Sequence, residues 1–366
     1  MNPSTSINQG ASKKSFLKRA FPVPRSLILS NTAVDITDGS LKFFELNRAR
    51  SEVKIKSYGT APFPAAHIGM MSEKSRSEAV NALKQWSASK KCTAVNGVIH
   101  EGDAYVFRVT VATTNRSEMR AAIEALLEEN VPIHPSEAVL EYSIVSRDIA
   151  NQTSIVAVSV LSKKVLADYF DLFDQAGIKV VSVDTESRSL ARSLFRKNDA
   201  GVHAVISIAD HHTVLFIVDR GAVVFSSSVE VGSVDLDKAI SKELGISEAE
   251  AHKIKKEKAF NEGENDMKIF EAMMPIFSII QEELGKMLVY WRNQTKKGQE
   301  VRLVEDIVFS GIDTMISGFS RYITITSKIP TRQGSVWTNV LSIDESVPDI
   351  MLEESYRYGT VIGNLL

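Results

Sequence analysis

Ala33-Val34-Asp35-Ile36-Thr37-Asp38-Gly39-Ser40-Leu41-Lys42-Phe43-Phe44-Glu45-Leu46 reads as an apolar strand, a polar turn and a second apolar strand. Asp-Gly between two such runs is a strong hairpin signal, because both residues tolerate the backbone that a tight turn needs. A second unit of the same kind begins about 170 residues later: Val205-Ile206-Ser207-Ile208, then Ala209-Asp210-His211-His212, then Thr213 to Val218. Asp35 aligns with Ser207 and Asp38 with Asp210. The turn Asp219-Arg220-Gly221 and a further strand, Ala222 to Ser227, follow. Two such units predict a duplicated α/β architecture with related lobes, unless two ordinary hairpins share a pattern by chance.

Around these units, 366 residues at 44% hydrophobic and 24% charged suit a globular protein of two to three domain equivalents. A net charge of −2 provides no overall basic field, so no nucleic-acid partner is expected. Cys92 is the sole cysteine, which excludes an intrachain disulfide and a Cys-based zinc site and fits a reducing compartment. Apolar runs such as Ser154 to Leu161 fall short of the roughly 18 to 20 residues that span a bilayer. The first 25 residues form a basic tail (Lys13, Lys14, Lys18, Arg19, Arg25) without the apolar core of a secretory signal. Phe16, Leu17 and Phe21 interleave with these cations, so contact with an anionic membrane surface stands beside a solvated tail as a reading.

Between the hairpins, Ser117 to Asn130 predicts an amphipathic helix ending before Pro132. Strands at Val139 to Val145 and Ser154 to Leu161, a helix through Leu166, Tyr169, Phe170 and Phe173, and a strand at Ile178 to Val183 follow. Residues 106–183 thus read as an inserted α+β module. The first lobe takes 26–105, with 184–203 and 345–366 returning to it, and the second takes 204–344, with a helical part near 233–266. In that second lobe, Gly245 ends one helix and Ser247-Glu248-Ala249-Glu250 opens the next as a capping box. Ile269, Met273, Phe277, Ile280, Leu284, Leu288 and Trp291 mark one long core helix, with a kink expected at Pro275. Gly359 and Gly363 would allow the closing helix to pack tightly.

In this order, an Asp-containing hairpin, a second hairpin opening a second lobe, a helix bearing Glu250 and Lys255, and the late turn Ser310-Gly311-Ile312-Asp313 resemble the actin/Hsp70/sugar kinase superfamily. Within it, residues 33–46, Glu128 to Tyr142, Phe270 to Pro275 with Glu282-Glu283-Leu284, and Glu353 to Gly363 are similar to the PilM family of type IV pilus assembly proteins, collinearly from about Ala20. The resemblance implies an α/β, two-lobed, ribonuclease H-like duplicated fold with an inserted subdomain of the FtsA/PilM type. It also implies a cytoplasmic scaffold peripheral to the inner membrane, which binds the cytoplasmic tail of a PilN-like membrane protein and contacts other pilus motor or alignment components. Self-association into larger assemblies is left open.

The resemblance further implies a cleft for ATP and Mg. Asp35 would order a magnesium-water shell, with Thr37, Asp38, Gly39, Ser40 and Lys42 around the phosphates. Ser207, Asp210, His212 and Thr213 would form the second phosphate hairpin, His252 and Lys255 would face ribose, and Gly311, Ile312 and Asp313 would meet adenosine. Turn amides grip phosphate only where the backbone can come close. This chain departs from the family there: Ser207 and Ala209 stand where Asp and Gly are usual, His252 where Glu is usual, and Ile312-Asp313 where glycines are usual. His211 and His212 read as exposed turn residues, since no third metal ligand lies at helical or turn spacing. Weak or absent ATP binding, no meaningful hydrolysis and no catalytic residue are therefore expected. Asp184 or Glu186 could serve as the base of a superfamily phosphotransferase or ATPase, the alternative reading, but helix capping accounts for both. A cell-division protein of the FtsA type is disfavoured, because that family normally carries an amphipathic membrane helix after its closing helix.

Overall fold

The computed structural model describes residues 30–49, 52–64, 68–258, 264–295, 302–314, 316–341 and 348–366. The expected basic tail, residues 1–25, lies outside them.

The first hairpin forms as expected: β1 (Thr32–Asp35) runs antiparallel to β2 (Ser40–Ala49), which pairs antiparallel with β3 (Glu52–Pro62). On the other side of β1 lie β4 (Ala94–Ile99) and then β8 (Lys179–Thr185), both parallel. The order β3-β2-β1-β4-β8 recurs in the second sheet as β11-β10-β9-β12-β13. Its strands are β9 (Val202–Ile208), β10 (Thr213–Asp219), β11 (Ala222–Val229), β12 (Asp306–Gly311) and β13 (Thr331–Gln333). The strand directions match as well, with antiparallel β9-β10-β11 and parallel β9-β12-β13. Two five-stranded sheets with one topology and one sense make the duplication real, and the fold is the expected two-lobed, actin-like one.

Strand alternation decides what each hairpin residue touches. Ala33 and Phe44 face a core between the sheets, with Val205, Phe216 and Val308 from the second lobe. Val34, Leu41 and Phe43 face the opposite way, onto α1 (Glu73–Lys90) and α3 (Lys163–Gln175) through Leu83, Trp86, Tyr169 and Phe173. In the second lobe the long helix α7 (Glu264–Thr295) buries Met273, Phe277, Ile280, Leu284 and Trp291 against β9, β10 and β12. The helix α4 (Glu186–Leu194) sits in the inter-sheet core through Leu190, Ala191 and Leu194. A Cβ on Gly363 would lie 1.7 Å from the Ser189 carbonyl oxygen, so the closing helix can cross α4 only because that position carries no side chain.

A third sheet, β5-β7-β6, is made of β5 (Ala104–Val111), β6 (Ala138–Asp148) and β7 (Thr153–Ser162). Met119 and Ile123 of α2 (Arg116–Glu124) pack on it. The insert is shorter than the sequence indicates: α3 and β8 were expected to close it at 183, but β8 pairs with β4, and α3 buries Tyr169, Leu172 and Phe173 in the first-lobe core. Alternating strands and a helical stripe are satisfied by either sheet, so sequence periodicity could not choose between them.

Candidate functional site

The two hairpin turns meet. Asp38 is 3% exposed, and its carboxylate accepts hydrogen bonds from the backbone N–H groups of Asp210 (2.7 Å) and His211 (2.8 Å) in the opposite turn. Lys42 donates to the same carboxylate at 2.9 Å, and His212 Nδ1 lies 3.3 Å from it. Burial alone would push the Asp38 carboxyl up, but the bonds and charges of His212 and Lys42 outweigh it and hold the group well below the usual carboxylate range. The penalty of burial on Lys42 is likewise overcome by Asp38, Asp35 and Asp210, so this ammonium stays above its ordinary range. Asp35 turns back on its own turn, accepting from Thr37 N (2.9 Å) and Thr37 Oγ1 (2.6 Å). Its burial raises its pKa despite Lys42.

The floor of this junction comes from α4 and the end of β4. Glu186 Oε1 meets His212 Nε2 at 2.9 Å and lies 3.2 Å from Thr37 Oγ1, while its Oε2 accepts from Glu101 N at 2.8 Å. Burial opposes ionisation of Glu186, but His212 brings its pKa down to about 2. His212, 1% exposed between Glu186 and Asp38, pays desolvation yet is held protonated well above its usual value. Beside it stands the His100 ring, with centroids 4.6 Å apart. His100, Glu186 and His212 bring three ligand-type atoms within 4.8 Å of one another. Their chemistry is that of a proton network: both His212 nitrogens face carboxylates, so a protonated ring offers no lone pair, and His100 Nδ1 accepts from Gly102 N. Glu101 returns the contact to α4, accepting from Ser187 N (2.8 Å) and Ser187 Oγ (2.7 Å). Burial pushes its carboxyl up to about 7.

A second cluster forms farther into the second lobe. Lys255, 1% exposed on α6 (Glu248–Lys258), donates to Ser233 O (3.0 Å) and Ser233 Oγ (2.8 Å) at the start of α5 (Ser233–Leu244) and to Asp313 Oδ2 (2.5 Å), and pairs with Asp237 of α5 at 2.8 Å. His252 Nδ1 meets Asp237 Oδ2 at 2.8 Å. Gly311, with φ 84°, lies so close to β9 that a Cβ would stand 2.1 Å from Ile208 O, and Ile312 N donates to that same oxygen at 2.8 Å. The cavity lined by Asp35, Lys42, Ser207, His212, Gly311, Ile312 and Arg357 measures about 30 Å³.

A larger groove, about 220 Å³, opens elsewhere, between the inserted sheet, α4 and the β10–β11 turn. Three successive cross-strand pairs of β6 and β7 line it: Glu141 with Ser159, Tyr142 with Val158, and Ser143 with Ala157. Arg188, Ala191 and Arg192 of α4 face them, and Gly221, Ala222 and Val223 close one side.

A family model described as type IV pilus assembly protein PilM matches residues 33–364. The chain belongs to the PilM family. Its fold is similar to that in the PilM-PilN type IV pilus biogenesis complex, with TM-score 0.71, 16% identity, and coverage of 92% of this chain and 98% of that one. It is similar also to the ethanolamine utilization protein EutJ from Carboxydothermus hydrogenoformans (TM-score 0.50, 11% identity, 94% and 91% covered). MreB5 of Spiroplasma citri bound to ADP matches with TM-score 0.50 and 12% identity over 91% and 94%.

Of the residues that the PilM resemblance points to, Asp35, Thr37, Asp38, Gly39, Ser40, Lys42, Ser207, Asp210, His212 and Thr213 lie on or beside the facing hairpins. His252, Lys255 and Asp313 form the separate Lys255 cluster, while Gly311 and Ile312 join the cleft wall. Asp35 lines the cavity, with its oxygen Oδ1 accepting from Thr37. His212 corrects the expectation of an exposed turn imidazole: it faces inward between two carboxylates, and His211 alone stays exposed. Glu186 is likewise no cap. Thr185 caps α4 by accepting from Arg188 N, Asp184 pairs with Arg188 and Arg192, and Glu186 points into the junction. His100, Glu101 and Arg357, which pairs with Asp210, were missed altogether. Their only sequence signal was a polar pair after an apolar strand, His100-Glu101, and a lone cation in the closing segment.

Among the described residues, no helix is long and apolar enough to cross a membrane.

Proposed function

We propose that this PilM-family chain is a cytoplasmic adaptor of pilus assembly that holds the extended tail of a PilN-like inner-membrane protein in the groove between the inserted sheet and α4. The observation that carries this reading is the groove itself: Glu141, Ser143, Ala157 and Ser159, on one face of β6 and β7, stand opposite Arg188, Ala191 and Arg192, so that small apolar Ala157, Ala191 and Ala222 lie among polar neighbours. Such a mix suits a short extended segment, since pockets of alternating character accept side chains while polar groups fix its direction. The similar fold in a PilM-PilN complex supports the choice of partner. Attachment to the inner membrane then runs through that partner, and other motor or alignment components would meet the remaining surface.

In the same reading the inter-lobe cleft is a degenerate nucleotide site. The residues present do not fit Mg-ATP: the turn amides of Asp210 and His211 already serve Asp38, Lys255 already serves Asp313 and Asp237, and about 30 Å³ remains where ligand pockets typically measure roughly 300 to 1,000 Å³.

The test is fluorescence anisotropy with a labelled peptide bearing the cytoplasmic tail of a PilN-like protein. We expect saturable binding by the wild type and a loss of about tenfold or more in Ser143→Trp, whose indole would fill the groove from an exposed position. Absence of wild-type binding, or equal binding by Ser143→Trp, would sink this assignment.

A further inference from the structure

We infer that Asp38 is a built-in anion: its carboxylate takes the two backbone donors of the second hairpin turn that would otherwise face a bound phosphate, and thereby latches one lobe to the other. The inference deepens the reading of the cleft as degenerate and names the residue responsible. Successive N–H groups in a tight turn form a concave donor site that takes a carboxylate as readily as a phosphate. Here Asp210 N and His211 N, 2.7 and 2.8 Å from the two Asp38 oxygens, are spent in that way. The carboxylate comes from the β1–β2 turn of the first lobe and the amides from the β9–β10 turn of the second, so the contact joins lobes 172 residues apart in sequence. Lys42 and His212 complete its shell, and Asp38 has no exposed edge through which solvent could exchange with it.

Around that anion stand the cations Lys42, His212 and Arg357 and the carboxylates Asp35, Glu186 and Asp210. Removal of one carboxylate shifts this balance toward positive charge and frees two aligned donors. Shortening Asp38 to Ser should therefore uncover a site for a small phosphate anion, with pyrophosphate as the probe.

Two measurements test this. In the first, pyrophosphate is titrated by calorimetry into the wild type and into Asp38→Ser. The variant is expected to bind it at least about tenfold more tightly than the wild type. A folded Asp38→Ser protein that shows no gain, or a wild type that binds pyrophosphate equally well, overturns the inference. In the second, which needs no variant and so stands even if Asp38→Ser fails to fold, amide hydrogen exchange is read by NMR on the ligand-free wild type. Slow exchange at Asp210 and His211, with protection comparable to that of the β9–β10 ladder, is expected; exchange at the rate of the exposed turn at Gly221 overturns the inference. Tail binding is read separately in the anisotropy assay, so a wild type that binds peptide but exchanges fast at 210 and 211 defeats the latch and leaves the adaptor standing.

Discussion

Glu101 shows how one buried carboxyl can set a pH dependence. Both of its oxygens meet Ser187 at the start of α4, and burial pushes its pKa from an ordinary 4.5 up to about 7. A carboxyl whose folded pKa is raised binds its proton more tightly when folded. Its contribution to stability is thus complete below about 4.5 and is lost as pH rises through about 7. Glu101→Gln, which copies the protonated form, should flatten the stability profile between those values. At pH 8 it should stabilise by roughly 1 to 3 kcal/mol, read by urea denaturation. An unchanged slope between pH 4.5 and 7 would show that another group titrates there. None of this was legible in the sequence: Glu101 follows a strand and looks like a turn residue, and its burial depends on Ser187, 86 positions away. The same holds for His212. Its neighbours in sequence say turn, whereas its partners Asp38 and Glu186 come from two other segments.

At the scale of elements, local signals carried further. Gly245 does take the left-handed conformation that ends a helix, with φ 66°, and Ser247 and Glu250 do exchange the two hydrogen bonds of a capping box. These motifs depend on residues three or four apart, so the chain alone encodes them. Gly359 and Gly363 pointed to a close helix crossing, and the crossing partner is α4, where Gly363 meets Ser189. Gly363→Ala would drive a methyl into a backbone oxygen and should destabilise by about 3 kcal/mol, the upper range for overpacking, read as a drop in melting temperature. A melting temperature within error of the wild type would mean that α4 and the closing segment can part freely. The boundary of the insert was less legible. Val-Val-Ser-Val at 180–183 alternates well enough for either sheet, and β4 captured the strand because α3 places its aromatic stripe under β1 and β2.

For the whole molecule, the contact of Asp38 with the opposite hairpin makes the relation of the lobes a property of the chain's own side chains. A nucleotide bound at 100 times its Kd would add roughly 2.7 kcal/mol, which for a chain of this size raises the melting temperature by several degrees. We expect millimolar Mg-ATP to leave the melting temperature unchanged. A rise of several degrees that disappears in Asp35→Ala would mean that the turns open and accept phosphate, and the cleft would regain a role as a nucleotide site. The groove beside α4 is also a whole-molecule property, since the inserted sheet, α4 and the β10–β11 turn reach it from three separate stretches of chain.

The sequence by itself determined the two hairpins, the helices and their caps, the duplication and the membership in the PilM family, because strand alternation, helical periodicity and turn chemistry act over a few residues and repeat in order along the chain. Only the tertiary structure decided that Asp38 answers the amides of the opposite lobe, that Glu186 and His212 turn inward as a pair, and that β8 leaves the insert for the first sheet. Those outcomes depend on which buried donor finds which acceptor across 26 to 173 residues. In a close-packed interior most buried donors find an acceptor, and sequence spacing does not say which.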